Sequence, residues 1–382
     1  MIAKAKRLQE VKEYYFSTKL REVAQLVAEG KPILNIAIGN PDLAPSEGVL
    51  SAIKDSLTFE KAHGYQSYQG LPKLREVIAA FYQKSYGVDL NPVNQVLPLM
   101  GSKEGIMHIS MAFLNEGDEV LIPNPGYPTY TSVTNLLGAK PVFYDLEASN
   151  DWQPDFDALA KKDLSKVKIM WVNYPHMPTG ANASIELYQK FVDFARAHNI
   201  LLVNDNPYSF ILNNNPLSML SVKGADGVAL ELNSLSKTFN MAGWRVGMLL
   251  GNKDLIQSVL QVKSNMDSGM FYGIQQGAIT ALQLSDKWYA NINSIYAKRR
   301  EIVYEILDAL NCKYDTNAVG MFVWAKLPEG VKTQEIVDDL LYNKNIFITP
   351  GTVFGSNGEG YIRFSLCVSE DQLLEALKRV VS

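Results

Sequence analysis

What most constrains this chain is a series of short apolar runs, each broken by a polar turn. Residues 95–100, 119–122, 141–146, 168–173, 200–204, 228–232 and 246–250 are such runs. Strands alternating with helices predict an α/β fold built on a mostly parallel sheet. The run 168–173 is near-continuously apolar, as expected of a strand covered on both faces. In sheets of this kind ligands bind beyond the carboxyl ends of the strands. The polar residues Ser102, Tyr127, Asn173, Asp205, Tyr208 and Lys237 all fall just after runs.

Composition permits a large core. Of 382 residues 47% are apolar and 20% charged, and the net charge is −4. That balance excludes global disorder. No basic block stands out, which argues against nucleic acid and anionic membranes as partners. Two cysteines, Cys312 and Cys367, form no disulfide framework and suit a reducing compartment. The four histidines lie far apart, without metal-ligand spacing, so no metal site is expected. The N-terminus has no apolar signal core and no stretch reaches membrane-spanning length, which predicts a soluble, cytoplasmic protein.

Lys237 lies in the corner between the runs 228–232 and 246–250, after Ser234 and Ser236 and eight residues before Arg245. A lone Ser-x-x-Lys is ordinarily a surface feature, because lysines are mostly exposed. An amine that must form an imine needs burial or neighbouring positive charge to lower its pKa. An arginine and a serine beside it suit a phosphorylated aldehyde.

Several further stretches stand out. Residues 8–29 have helical periodicity, ended by Gly30 and Pro32, and 33–38 is a short strand leading to Gly39. Gly39 either relieves a turn or brings its backbone against a ligand carboxylate. Tyr65 sits in a tyrosine-rich loop before Pro72, which suits the first turn of a helix. The run 95–100, the turn at Gly101, Ser102 and Lys103, and a helix over 106–114 make an arrangement that points free N–H groups at an anion, although Ser102 could be a simple N-cap. Ser184 starts a helix through Ala197. From about residue 285 the character changes to a long helix over 288–310 and a smaller α+β lobe. There Arg363 lies within the strand 361–366, either facing solvent on an edge or needing an anionic partner.

Together these pieces resemble the class I/II pyridoxal-phosphate aminotransferases, with the aspartate aminotransferase fold (fold type I). The most specific element is Ser-x-x-Lys followed by Gly-Trp-Arg-x-Gly, Ser234 to Gly247. The resemblance implies a three-layer fold with a central, mostly parallel seven-stranded sheet and a smaller α+β domain made from both chain ends. It implies a division into an N-terminal segment 1–41 joining the small domain, a large coenzyme domain 42–287 and a small domain 288–382. It also implies that Lys237 holds pyridoxal 5'-phosphate as an internal aldimine and shuttles the substrate proton. Asp205 would pair with the pyridinium nitrogen, Tyr208 with the phenolic oxygen, and Tyr127 with the ring face. Gly101, Ser102, Lys103, Ser234 and Arg245 would hold the phosphate, joined by Tyr65 from a second subunit. Arg363 would grip the substrate α-carboxylate with Gly39, and Asn173 would lie near ring and substrate. A homodimer with shared sites is implied, with Ser268 and Gly269 in the region facing the neighbour.

The family pattern Asn-Pro-Thr-Gly reads Met177-Pro178-Thr179-Gly180 here, after His176. Methionine cannot donate a hydrogen bond, and adjacent side chains on extended chain point apart, so His176 is expected to point elsewhere. The implied activity is transamination between an L-amino acid and a 2-oxo acid through pyridoxamine phosphate. A β-elimination lyase would use the same residues. A coenzyme-binding transcription regulator would need a DNA-binding domain ahead of the fold, for which about 30 residues leave no room. Tyr14, Tyr15, Phe16 and the loop 266–272 are candidates to line the side-chain pocket. With no arginine in that loop, strict aspartate specificity is disfavoured.

Overall fold

The computed structural model describes residues 2–9 and 11–382. Seven strands form one sheet in the order Val96–Leu99, Gly247–Gly251, Ala229–Ser234, Leu201–Asp205, Val167–Val172, Glu119–Asn124 and Lys140–Asp145. Six of them run parallel to one another, and Gly247–Gly251 runs against both of its neighbours. The reason is local. Ser234 and Gly247 are joined by a corner holding one short 3-10 turn, Ala242–Trp244. A parallel return would need a longer crossover, usually a helix.

Alternate residues of the central strands enter two different cores. Ile169, Trp171 and Val203 pack with Ile106 and Ile109 of the helix Ser102–Phe113. Met170, Val172 and Leu202 pack with Leu187 and Phe191 of the helix Ile185–His198 on the other face. That two-sided burial is why the strands read as continuous apolar runs. The Ser184 hydroxyl accepts from the Leu187 N–H, and Asn199 in the left-handed region ends the same helix.

Four antiparallel strands, Thr349–Pro350, Tyr361–Ser365, Phe322–Lys326 and Lys313–Tyr314, make a second sheet. Leu34–Asn35 pairs in parallel with Ile346–Phe347, so the start of the chain is stitched to its last third. The long helix Asp286–Ala309 supplies Arg299, which makes a two-pronged pair with Asp42 at 2.7 and 2.8 Å and donates to the Leu366 carbonyl at 2.9 Å. Arg363 is not on an edge: its strand lies between two others.

Some boundaries differ from the sequence reading. The first long helix begins only at Tyr15, because Tyr14 is extended and turns toward a cavity. Ser102 is the first helical residue and Gly101 the cap. Helices Glu47–Ser56, Lys253–Lys263 and Tyr272–Leu282 have no counterpart in that reading. The last contains Gly273 and Gly277, and a Cβ at Gly277 would come within 2.7 Å of the Trp244 ring. Close packing on several sides blurs its helical period. Among the described residues no helix is long and apolar enough to cross a membrane.

Candidate active site

The Lys237 corner is held by its neighbours. Leu235, Phe239 and Met241 are buried in the core, and the Phe239 and Met241 N–H groups both donate to the Leu235 carbonyl. Lys237 is thereby turned the other way. Its Nζ donates to the Gly39 carbonyl at 2.5 Å. Burial pushes its pKa down, Arg363 and Arg245 push the same way, and Cys367 and Asp205 oppose.

Asp205 ends its strand with 5% exposure. Its Oδ2 accepts from the Tyr130 hydroxyl at 2.9 Å, while Oδ1 is buried without a partner among the described residues. Burial raises the carboxyl to about 6, the Tyr130 hydrogen bond and Lys237 pull it down, and the charge of Glu231 pushes it up. Glu231, on the adjacent strand, is fully buried. It accepts from Tyr82 and Ser218 hydroxyls at 2.9 Å and from the Asn204 amide and Met219 N–H at 3.0 Å. The sequence reading missed it, although a carboxylate inside an apolar run was the available signal.

Asn173 bridges two strand ends. Its amide donates to the Asp205 carbonyl at 2.5 Å and accepts from the Met177 N–H at 2.9 Å, leaving one amide N–H. Met177 therefore faces the cavity, and His176 does not: the histidine Nδ1 pairs with the Thr179 hydroxyl at 2.8 Å, and burial lowers its pKa to about 3.

Arg363 is 4% exposed. Nη2 donates to the Ala37 carbonyl at 2.9 Å and Nη1 to the Met177 sulfur at 3.2 Å. The guanidinium lies 3.9 Å from the Phe322 ring centre and 4.7 Å from that of Phe354. Burial lowers its pKa to about 10, which leaves it charged at neutral pH. No carboxylate among the described residues pairs with it. A buried cation without an anion is costly, and an anionic ligand removes that cost.

Gly101 (φ 98°) turns the chain into the helix Ser102–Phe113. A Cβ there would strike the Arg245 guanidinium, and one on Gly247 would come within 2.5 Å of the Ser102 nitrogen. The two glycines thus bring Arg245 and the bare amides of the helix start together, which is the chemistry of an anion site. Arg245 itself is exposed, in the left-handed region at φ 56°, with Nη1 on the Ala242 carbonyl at 2.9 Å.

One cavity of about 520 Å³ is lined by Gly39, Ser102, Lys103, Tyr127, Asn173, Asp205, Tyr208, Ser234, Lys237, Arg245 and Arg363. Gly101 stands directly behind Ser102. Tyr65 is elsewhere: it projects outward, 93% exposed. Of the candidates for the side-chain pocket, Tyr14 and Phe16 join the lining, while Tyr15 and the loop 266–272 do not; Leu20, Ile38, Phe322 and Phe354 line it without having carried a motif. A larger surface groove of about 960 Å³, bordered by Asp145, Asp155 and His198, includes none of these groups.

A family model described as aminotransferase class I and II matches residues 31–380. LL-diaminopimelate aminotransferase of Aquifex aeolicus (strain VF5) is 38% identical over 376 residues, covering 98% of this chain and 97% of the relative. The enzyme of the same name from Dehalococcoides mccartyi (strain ATCC BAA-2266 / KCTC 15142 / 195) is also 38% identical, over 99% of this chain and 98% of its own length. Among solved structures, substrate-bound BacF from Bacillus subtilis superposes with a TM-score of 0.95 at 34% identity, covering 100% of this chain and 98% of that one. A probable N-succinyldiaminopimelate aminotransferase from Thermus thermophilus gives 0.89 at 30% identity, over 96% and 99% of the two chains.

Proposed function

The chain belongs to the class I and II aminotransferases, which use pyridoxal 5'-phosphate, and from that premise we propose which of its residues carry the transfer of an amino group between an L-amino acid and a 2-oxo acid. The observation that carries the assignment is the convergence of Lys237, the half-partnered carboxylate of Asp205 and the anion-free Arg363 on one cavity.

The residues fit the coenzyme. The orphaned Asp205 Oδ1 suits a pyridinium N–H, and a cationic partner keeps that carboxylate ionised despite its burial. The amides of Gly101, Ser102 and Lys103, with Ser234 and Arg245, suit a phosphate. Tyr127 offers a ring face, Tyr208 a hydroxyl for the phenolic oxygen, and Asn173 its remaining N–H. When bound, the coenzyme supplies the electron-withdrawing ring. Arg363 binds the substrate α-carboxylate by charge-assisted hydrogen bonds, helped by Gly39, and so fixes Cα relative to Lys237. Lys237 Nζ, with its pKa lowered by burial, would accept the proton from the substrate Cα and deliver it to carbon C4′ of the coenzyme.

For the substrate, the named relatives make LL-diaminopimelate the first amino donor to test. Of the lining cations among the described residues, Lys103 is the one left over for a distal carboxylate; its Nζ lies 4.6 Å from the centre of the Tyr14 ring. A homodimer with shared sites accounts for the outward Tyr65. Phe59, Tyr68, Met266 and Phe271 are exposed near it, and such patches mark interfaces. Two free, buried thiols fit a cytoplasmic enzyme. We further read 1–41 with 288–382 as one domain and 42–287 as the other.

Lys237→Ala tests the assignment. Turnover with a donor panel should fall by at least about 10³-fold, while coenzyme binding, read by absorbance of the purified protein, stays measurable. Retained turnover would overturn it.

A further inference from the structure

Tyr65 has a backbone that is fixed from the inside while its ring is free. Three ties join its loop to the stretch from Lys263, at the end of the helix Lys253–Lys263, to Gln275 in the helix Tyr272–Leu282. Lys263, 2% exposed, donates through Nζ to the Tyr68 carbonyl at 3.0 Å and to Asp267 Oδ1 at 2.8 Å. Gly269 (φ +85°) lies against the Gln66 and Ser67 carbonyls so closely that a Cβ would come within 2.5 and 2.8 Å of them. Gln275, fully buried, accepts from the Leu71 N–H and donates to the Met270 carbonyl, both at 2.7 Å.

A network beneath these ties reaches back to Met100, the residue before the Gly101 turn. Asp267 Oδ1 also accepts from the Gly269 N–H at 2.9 Å. Glu104 and His108 of the helix Ser102–Phe113 approach the Asp267 carboxylate, all within 4.8 Å of one another. Such a trio could hold a metal ion, but the Lys263 ammonium already neutralises Asp267. Glu104 Oε2 in turn accepts from the Met100 N–H at 3.0 Å.

We propose that Lys263 and Asp267 are positioning residues that hold Tyr65 in place for the active site of the partner subunit. The proposal rests on the shared-site reading above. A buried lysine–carboxylate pair is a poor source of stability, since apolar residues of the same size often do as well. What the pair supplies is geometry. Lys263 is a donor that reaches a backbone carbonyl three residues from Tyr65, and Asp267 fixes that donor. A ring with 93% exposure and no packing of its own would otherwise lose freedom on docking, which weakens binding. With the backbone fixed beforehand, only the ring has to be ordered.

The test is the rate at which the purified holoenzyme releases pyridoxal 5'-phosphate, with sedimentation confirming an unchanged assembly. Three variants are compared: Tyr65→Phe, the charge-neutral pair Lys263→Met with Asp267→Asn, and all three changes together. Losing a hydrogen bond to a charged phosphate should speed release about ten- to a hundredfold in Tyr65→Phe. The neutral pair should speed it several-fold, and the triple variant should be no faster than Tyr65→Phe alone. Multiplied effects in the triple variant would overturn the proposal, as would unchanged release in the neutral pair when Tyr65→Phe is fast. Unchanged release in Tyr65→Phe would instead remove the shared-site reading itself. Lys263→Gln, a milder change, carries the same non-additive expectation if the doubly replaced chain fails to fold.

Discussion

Asp205 is held for a partner that the chain itself does not supply. Its carboxyl is raised from 3.8 to about 6, mainly by burial. A raised folded value means that the coenzyme-free protein binds this proton more tightly folded than unfolded. The associated stability is complete below about pH 4 and is lost as pH rises through about 6, a swing of roughly 3 kcal/mol. Asp205→Asn should therefore stabilise the coenzyme-free protein by up to that amount at pH 8 and by nothing at pH 4, in urea unfolding at the two values. A variant less stable than the natural protein at pH 8 would refute this account. Met177 gives a second expectation. It contacts Arg363 through sulfur and offers no donor to the cavity. Met177→Asn would place an amide N–H near the coenzyme's phenolic oxygen and favour its ionised form. The pH midpoint of the visible absorbance should fall by about one unit, the worth of one such hydrogen bond; a midpoint that stays or rises would count against it. Asp205, Lys237 and Arg363 were legible as residues because each sits in a short motif. Phe322 and Phe354 were not, because their importance comes from what folds against them, and Glu231 showed only as a carboxylate inside an apolar run.

At the scale of elements, the turn at Gly101 matters most. Its φ of 98° lies where side-chain-bearing residues are strained, at a cost of about 1–3 kcal/mol. Gly101→Ala would add a collision with Arg245. Coenzyme affinity should drop at least about tenfold, because about 1.4 kcal/mol of that cost falls on the phosphate cradle, and thermal unfolding should come earlier. Equal coenzyme affinity in a titration would show that the turn is not the cradle. The strand–turn–helix pattern was readable from sequence. The direction of Gly247–Gly251 was not, since the apolar run is the same for a strand running either way.

For the whole molecule, the exposed band around Tyr65, Phe59 and Met266 leads to one expectation. Sedimentation should give a mass near twice 42.5 kDa. Replacing Phe59 and Met266 together with aspartate should shift that species toward the monomer, because buried unpaired charges oppose an apolar interface. A dimer unaffected by the pair would place the interface elsewhere.

The order of residues is enough to set the alternation of strand and helix, the sheet ends where polar residues gather, and the ordered motifs that identify the family. These depend on local period and local turn chemistry, which the chain carries wherever it goes. Folding in three dimensions was needed to enclose Arg363 between Phe322, Phe354 and Met177. It was needed, too, for Asn173 to brace two strand ends and for Lys263 to tie down the loop of Tyr65. Each of these pairings joins residues whose partners are set by packing and burial, and no local pattern in the sequence encodes them.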